Sequence, residues 1–161
     1  MTFEVLIWNI DRFRNGHHSN NDSGKYDFID CDEKAFDGIC NVIRTFLKEE
    51  VSVNKIAFIQ ECPFKYNDNG KWVIHSFWED LNREFPESEY DLILSQDSED
   101  GFVIRKTIAI AHKNVFTQLI LIHNRLVAVE KDGVKLVGVH MPTVNYLTDD
   151  IDPVWKNSWN L

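Results

Sequence analysis

The spacing of apolar and polar residues predicts strands and helices in alternation, followed by a run of strands. Apolar stretches rich in β-branched and aromatic residues predict strands at 3–10, 55–60 and 90–96. Apolar residues at helical spacing predict an amphipathic helix within 31–50, with Asp32 at its N-cap. A second helix is predicted over 74–85, and Pro86 ends it.

The second half of the chain is predicted to be strands with short connections. These strands span 107–113, 115–122, 125–131 and 134–140. Asp132–Gly133, between the last two, is typical of a tight hairpin turn. Residues 66–72 and 97–101 read as turns, and 11–30 as a long polar loop. The order predicts a single α/β domain over 1–161, a mixed sheet with helices on one face.

Composition limits the classes of function. The 161 residues are within the range of about 100–200 typical of one domain, and the 43% hydrophobic content is enough for a core. The chain carries 17 basic and 26 acidic residues, a net charge of −9, without a Lys/Arg block. This excludes a sequence-independent grip on nucleic acid over the whole surface. A local site remains compatible, because a bound metal is often the largest local charge.

The sequence also indicates a compartment. The N-terminus lacks a basic segment and carries Glu4, unlike a secretory signal. No apolar run approaches the roughly 18 residues of a membrane span. Cys31, Cys40 and Cys62 form an odd, irregular set, which argues against a disulfide framework. We therefore expect a cytoplasmic protein without a membrane span.

Three polar residues occupy the ends of predicted strands. Asn9 lies near the end of the first strand, Glu61 follows the second, and His140 ends the last. A carboxylate at the end of an apolar run is costly to bury unpaired. If the three strand ends converge, an amide and a carboxylate supply hard oxygen ligands for Mg²⁺ or Mn²⁺. A neighbouring histidine can bind a phosphate oxygen or transfer a proton.

Four stretches in this order resemble the endonuclease/exonuclease/phosphatase superfamily, which includes deoxyribonuclease I. They are "LIWNI" with Asn9, "IAFIQECP" with Glu61, "TIAIAHK", and "RLVAVEKDGVKLVGVHMPT" with His140, and they cover residues from about 3 to 143. The resemblance implies a four-layer α/β sandwich and a magnesium or manganese ion held by Asn9 and Glu61, directly or through water. His140 would contact the scissile phosphate, and water would attack a phosphoester.

The resemblance further implies a nuclease or related phosphodiesterase, with a nucleic acid as one candidate substrate. Arg105 precedes the "TIAIAHK" strand and is a candidate ligand for a substrate phosphate. A solvated surface charge is an equally weighted interpretation of this arginine.

The chain departs from the family pattern after His140. The family continues to a Gly-Asp-x-Asn strand end and a Ser-Asp-His near its C-terminus, and neither occurs here. Asp80 and Asn82 match Asp-x-Asn, but they fall inside the predicted helix 74–85. We therefore expect the N-terminal part of such a domain, inert by itself and prone to self-associate through an exposed apolar sheet face. The alternative is a degenerate, non-catalytic half-domain that acts as a binding module.

Each candidate also has a purely structural interpretation. Glu61 could be a loop carboxylate paired with a lysine, Asn9 a strand-end amide bonded to its own backbone, and His140 a satisfied core histidine. Structural interpretations are preferred for the remaining candidates: solvation for His17 and His18, burial for Cys62, a packed helix face for Trp155 and Trp159, and a solvated helix start for Asp149, Asp150 and Asp152.

Overall fold

The computed structural model describes residues 2–10, 33–48, 54–63, 65–68, 71–74, 77–95, 105–120 and 125–140. The strands are β1 (Phe3–Asn9), β2 (Asn54–Pro63), β3 (Lys65–Asp68), β4 (Lys71–Ile74), β5 (Tyr90–Leu94), β6 (Arg105–His112), β7 (Thr117–Leu119), β8 (Leu126–Lys131) and β9 (Val134–Val139). The helices are α1 (Glu33–Lys48) and α2 (Phe77–Glu84).

A four-stranded mixed sheet, here called the central sheet, has the order β1-β2-β6-β5. β1 runs parallel to β2, as a crossover through a helix requires, and β6 pairs antiparallel with both β2 and β5. The carboxyl ends of β1 and β2 therefore meet at the same edge of the sheet as the start of β6. Asn9 pairs with Gln60, and Arg105 pairs with Pro63.

Both helices pack on one face of the central sheet. The apolar stripe of α1 and the buried side of α2 form one core with side chains of the strands beneath. Its most buried members include Cys40, Ile43, Leu47, Leu81, Phe85, Ile59 and Ile108. The predicted mixed sheet with helices on one face is confirmed.

The opposite face of the central sheet is covered by a second sheet, here called the outer sheet, of order β7-β8-β9. Phe58 of the central sheet and Val127 and Val129 of the outer sheet belong to one buried cluster. A Cβ placed on Gly138 of β9 would lie 2.2 Å from a ring carbon of Phe58. The absence of a side chain at Gly138 is thus what lets β9 approach the central sheet so closely.

The β8–β9 hairpin has the predicted turn. Asp132 and Gly133 have φ of 51° and 79°, and they connect the paired residues Lys131 and Val134. Positive φ at both central residues matches the twist of the flanking strands, which explains the preference for Asp-Gly.

Several predicted boundaries were wrong. β7 spans only Thr117–Leu119, within the strand predicted over 115–122. β2 continues beyond residue 60 to Pro63, so Glu61 lies within the strand and does not follow it. Residues 66–72 are largely two short strands, β3 and β4, because a polar hairpin lacks the apolar alternation that marks a strand. Ile74 ends β4 and is 58% exposed, so the second helix begins at Phe77.

Several sequence interpretations concern residues outside the described ranges. They are the loop 11–30, the cap Asp32, the turn 97–101, and everything after His140. Neither described helix has the length and apolarity to cross a bilayer. β6 is buried from Lys106 to Ala111, because helices cover one side and the outer sheet the other. The exposed large apolar side chains in the described residues include Val5 and Ile7 of β1 and Val134 and Val137 of β9.

Candidate active site

A β-bulge in β2 sets the direction of the Glu61 side chain. Ile59 pairs with Ile108 and Cys62 pairs with Lys106, so two residues of β2 lie opposite one residue of β6. Glu61 has φ of 60°, the left-handed region that side chains other than glycine rarely adopt. Bulges are frequent next to active sites, where they redirect a side chain.

The bulge places two consecutive polar side chains on the same face. Ile59 and Cys62 both belong to the core beneath the helices. Strict alternation would direct Glu61 towards that apolar core together with Ile59. With the extra residue, both Gln60 and Glu61 contact residues of the outer-sheet strand β9 or its end. The left-handed conformation of Glu61 therefore keeps its carboxylate out of the helix-covered core.

Asn9, Glu61 and His140 come together at this edge of the sheet. The Asn9 side-chain amide Nδ2 donates to Glu61 Oε1 over 3.2 Å. His140 Nε2 lies 3.2 Å from the same oxygen, a hydrogen bond when Nε2 carries a proton and an ion pair when the ring is charged. The sequence prediction that these three residues converge is correct in geometry, across 52 residues between Asn9 and Glu61.

The cluster is partly buried. The side chains of Glu61 and His140 are 15% and 19% exposed, and Asn9 is exposed. A carboxylate in such a position is partly desolvated but still accessible to a small ligand. Electrostatic interactions are stronger there than in bulk water, because the neighbouring sheets exclude part of the solvent.

The donor chemistry fits a hard divalent cation. The Glu61 carboxylate and the Asn9 amide carbonyl supply oxygens, and Mg²⁺ is usually held by one or two carboxylates with water completing its shell. Within the described residues, no three His, Cys, Asp or Glu side chains come together. Among the described residues of this cluster, Glu61 is the carboxylate that a cation would contact.

The remaining candidates have mixed outcomes. Arg105 begins β6 at the same edge of the sheet, but its side chain lies outside the described part, so its role stays a prediction. Cys62 is fully buried, as the structural interpretation expected. Asp80 forms an ion pair with Arg83, and Asn82 donates to the Trp78 carbonyl within α2, which confirms their exclusion. His17 and His18 lie outside the described residues.

Gln60 is the site residue to which sequence reasoning gave no role. Its side-chain Nε2 donates to the Val139 carbonyl over 2.7 Å, next to His140. Its backbone carbonyl accepts from Ile10 N, next to Asn9. The sequence held no clear signal for this role, because β2 is buried on both faces and lacks the alternation from which an extra residue could be detected.

Comparison of the chain with protein-family models, with curated proteins and with solved structures gives no match.

Proposed function

We propose that this chain carries the metal-holding part of a magnesium-dependent phosphoesterase of the endonuclease/exonuclease/phosphatase type. The observation that carries the proposal is the convergence of Asn9 and His140 on the carboxylate of Glu61 at a strained bulge. Left-handed backbone at a non-glycine residue costs about 1–3 kcal/mol and clusters at functional sites. The helix–sheet–sheet layering is compatible with part of a four-layer sandwich.

The three side chains suit distinct tasks in phosphoester hydrolysis. Glu61 and Asn9 would hold Mg²⁺ or Mn²⁺, which when bound stabilises negative charge on phosphate oxygens. In its charged form His140 has two N–H donors, so Nδ1 could hydrogen-bond a phosphate oxygen while Nε2 keeps its contact with Glu61. Asn9, by donating to Glu61, orients the carboxylate. Arg105, from the start of β6, is proposed to bind a further substrate oxygen.

The metal-binding part is tested by calorimetric titration of the chain with MgCl₂ and MnCl₂. We expect the wild-type chain to bind the metal weakly and Glu61→Gln to abolish this binding. The loss of affinity should exceed the roughly 10–100-fold that is typical when an outer-shell residue is replaced. Glu87→Gln is the matched control, because Glu87 is exposed and precedes Tyr90, which pairs at the opposite end of the central sheet. Binding that survives Glu61→Gln would refute the assignment.

A phosphodiesterase assay then separates the two candidate functions. Hydrolysis of bis(p-nitrophenyl) phosphate that needs Mg²⁺ and is lost in Glu61→Gln would support an enzyme complete in this chain. Metal binding without hydrolysis would support a half-site that needs further residues, as the family resemblance implies.

The second candidate, a non-catalytic binding module, is favoured by one observation. Glu61 Oε1 already accepts hydrogen bonds from both Asn9 and His140, so the cluster satisfies itself without a cation. For such a module we expect neither Mg²⁺ nor Mn²⁺ to bind, and the cluster would only join the two sheets. Self-association, expected for an incomplete N-terminal part of the domain, would involve the exposed apolar side chains Val5 and Ile7 of the edge strand β1. Light scattering measures it.

A further inference from the structure

We infer that Gln60 is the positioning residue that holds the three site residues in register. It is adjacent in sequence to Glu61, its side chain is bonded to the residue before His140, and its backbone to the residue after Asn9. Gln60 therefore has a direct link to the chain beside each of the three. The hydrogen bonds of Gln60 are independent of the proposed function, but the effect of Gln60 on metal binding rests on that proposal.

The side-chain bond of Gln60 crosses between the two sheets. Its Nε2 belongs to the central sheet, and the Val139 carbonyl that accepts the bond belongs to β9 of the outer sheet. The other anchor of His140 is its own backbone N–H, which donates to the Arg125 carbonyl within the outer sheet over 2.9 Å. The Arg125 carbonyl also accepts from Thr107 Oγ1 of β6 over 3.2 Å, so this second anchor reaches the central sheet as well. The Gln60 bond joins the β9 backbone next to His140 to the residue adjacent to Glu61.

The bulge is what makes this arrangement available. Because Gln60 and Glu61 share a face, the amide and the carboxylate reach consecutive residues of the outer sheet, Val139 and His140. Loss of the amide donor leaves the Glu61–His140 contact without its neighbouring support. The expected consequence is a shift of the His140 ring away from Glu61, not unfolding of the sheets.

The test replaces Gln60 by methionine, which has a similar length and no N–H donor. Gln118→Met is the matched control, because Gln118 Nε2 also donates from one sheet to a backbone carbonyl of the other, Leu94, over 3.4 Å. We expect Gln60→Met to move the NMR signals of the His140 ring and the Asn9 side-chain amide, and to weaken Mn²⁺ binding about 10–100-fold. Gln118→Met should leave the signals and the affinity unchanged.

The outcomes separate this inference from the proposed function. If the wild-type chain binds no Mn²⁺ but Gln60→Met alone moves the His140 and Asn9 signals, positioning stands and the metal proposal fails. If Mn²⁺ binds equally well to wild type and Gln60→Met and the signals do not move, the positioning role is overturned while the metal site stands. Should Gln60→Met unfold the chain, Gln60→Glu provides the second variant, since it keeps the shape and removes the donor at neutral pH, with the same signals expected to move.

Discussion

At the scale of single residues, the backbone of Glu61 is the clearest departure from ordinary strand geometry. Its φ of 60° occurs inside a strand in which residues 55–59, 62 and 63 are buried. A left-handed conformation costs roughly 1–2 kcal/mol for a residue with a Cβ, and glycine avoids this penalty. The chain has glutamate and not glycine at this position, so the side chain is present at a cost in stability.

In a strand, alanine usually gives a more stable protein than glycine. At position 61 we expect this order of stability to be reversed. Both variants lose the carboxylate, but only alanine keeps the strain, so we expect Glu61→Gly to be more stable than Glu61→Ala by about 1 kcal/mol. Urea unfolding measures the difference. The same pair at Lys135, an exposed β9 residue, should show the normal order with alanine more stable. If the alanine variant were the more stable one at both positions, Glu61 would not be strained in solution.

At the scale of elements, the approach of β9 to the central sheet depends on Gly138. The Phe58 ring beneath it is 2% exposed and belongs to the inter-sheet core, so it cannot move aside freely. β9 also carries His140 at its end, two residues further along. The packing of the two sheets and the position of His140 are therefore coupled through one strand.

Gly138→Ala should destabilise the fold by about 1–3 kcal/mol, the usual cost of overpacking a core. Its added Cβ would lie within 3.0 Å of three Phe58 ring atoms. Gly38→Ala is the control, and we expect it to stabilise the fold by up to about 1 kcal/mol. Gly38 lies in α1, and an added Cβ would have nothing within 4 Å. Thermal unfolding of both variants checks the pair, and a Gly138→Ala protein as stable as wild type would contradict the packing.

The elements differ in how far the sequence predicts them. Asp132–Gly133 identified its hairpin because only a few residue types accept positive φ at both turn positions. β3 and β4 were missed because their residues are mostly polar and pair only with each other. The bulge in β2 was also missed: an apolar strand buried on both faces has no alternation from which an extra residue can be detected. Convergence of the site was predictable from strand ends, whereas the role of Gln60 depended on the bulge.

At the scale of the whole molecule, the layers bury the Cys40 thiol in the helix–sheet core. Cys40 of α1 is fully buried, and this burial raises its pKa from 9.0 to about 12, with Asp37 adding to the effect and Arg44 opposing it. The folded chain therefore keeps the thiol protonated at pH values where the unfolded chain ionises it. Stability linked to Cys40 is complete below about pH 9 and declines as the pH rises towards 12.

We expect the free energy of unfolding to fall between pH 9 and 12 with a contribution from Cys40 of about 1.4 kcal/mol per pH unit. Cys40→Ala removes this contribution, so the stability of the variant should decline less steeply with pH than that of wild type. This holds for any difference in stability between the two proteins at neutral pH. Tyr90, whose pKa is also raised by burial, contributes to the slope of both proteins. Denaturant unfolding across this range measures the slopes, and identical slopes would show that Cys40 ionises freely in the folded chain.

The two-residue turn between β8 and β9 has a consequence for the distant end of its hairpin. The turn fixes the pairing from Lys131 with Val134 to Leu126 with Val139, without a slip at any step. Because successive side chains of a strand point to opposite faces, a slip of one residue would turn Gly138 and His140 outward and place Val137 against Phe58. The histidine of the site thus owes its orientation to a turn at the opposite end of the strand, where no residue touches the site.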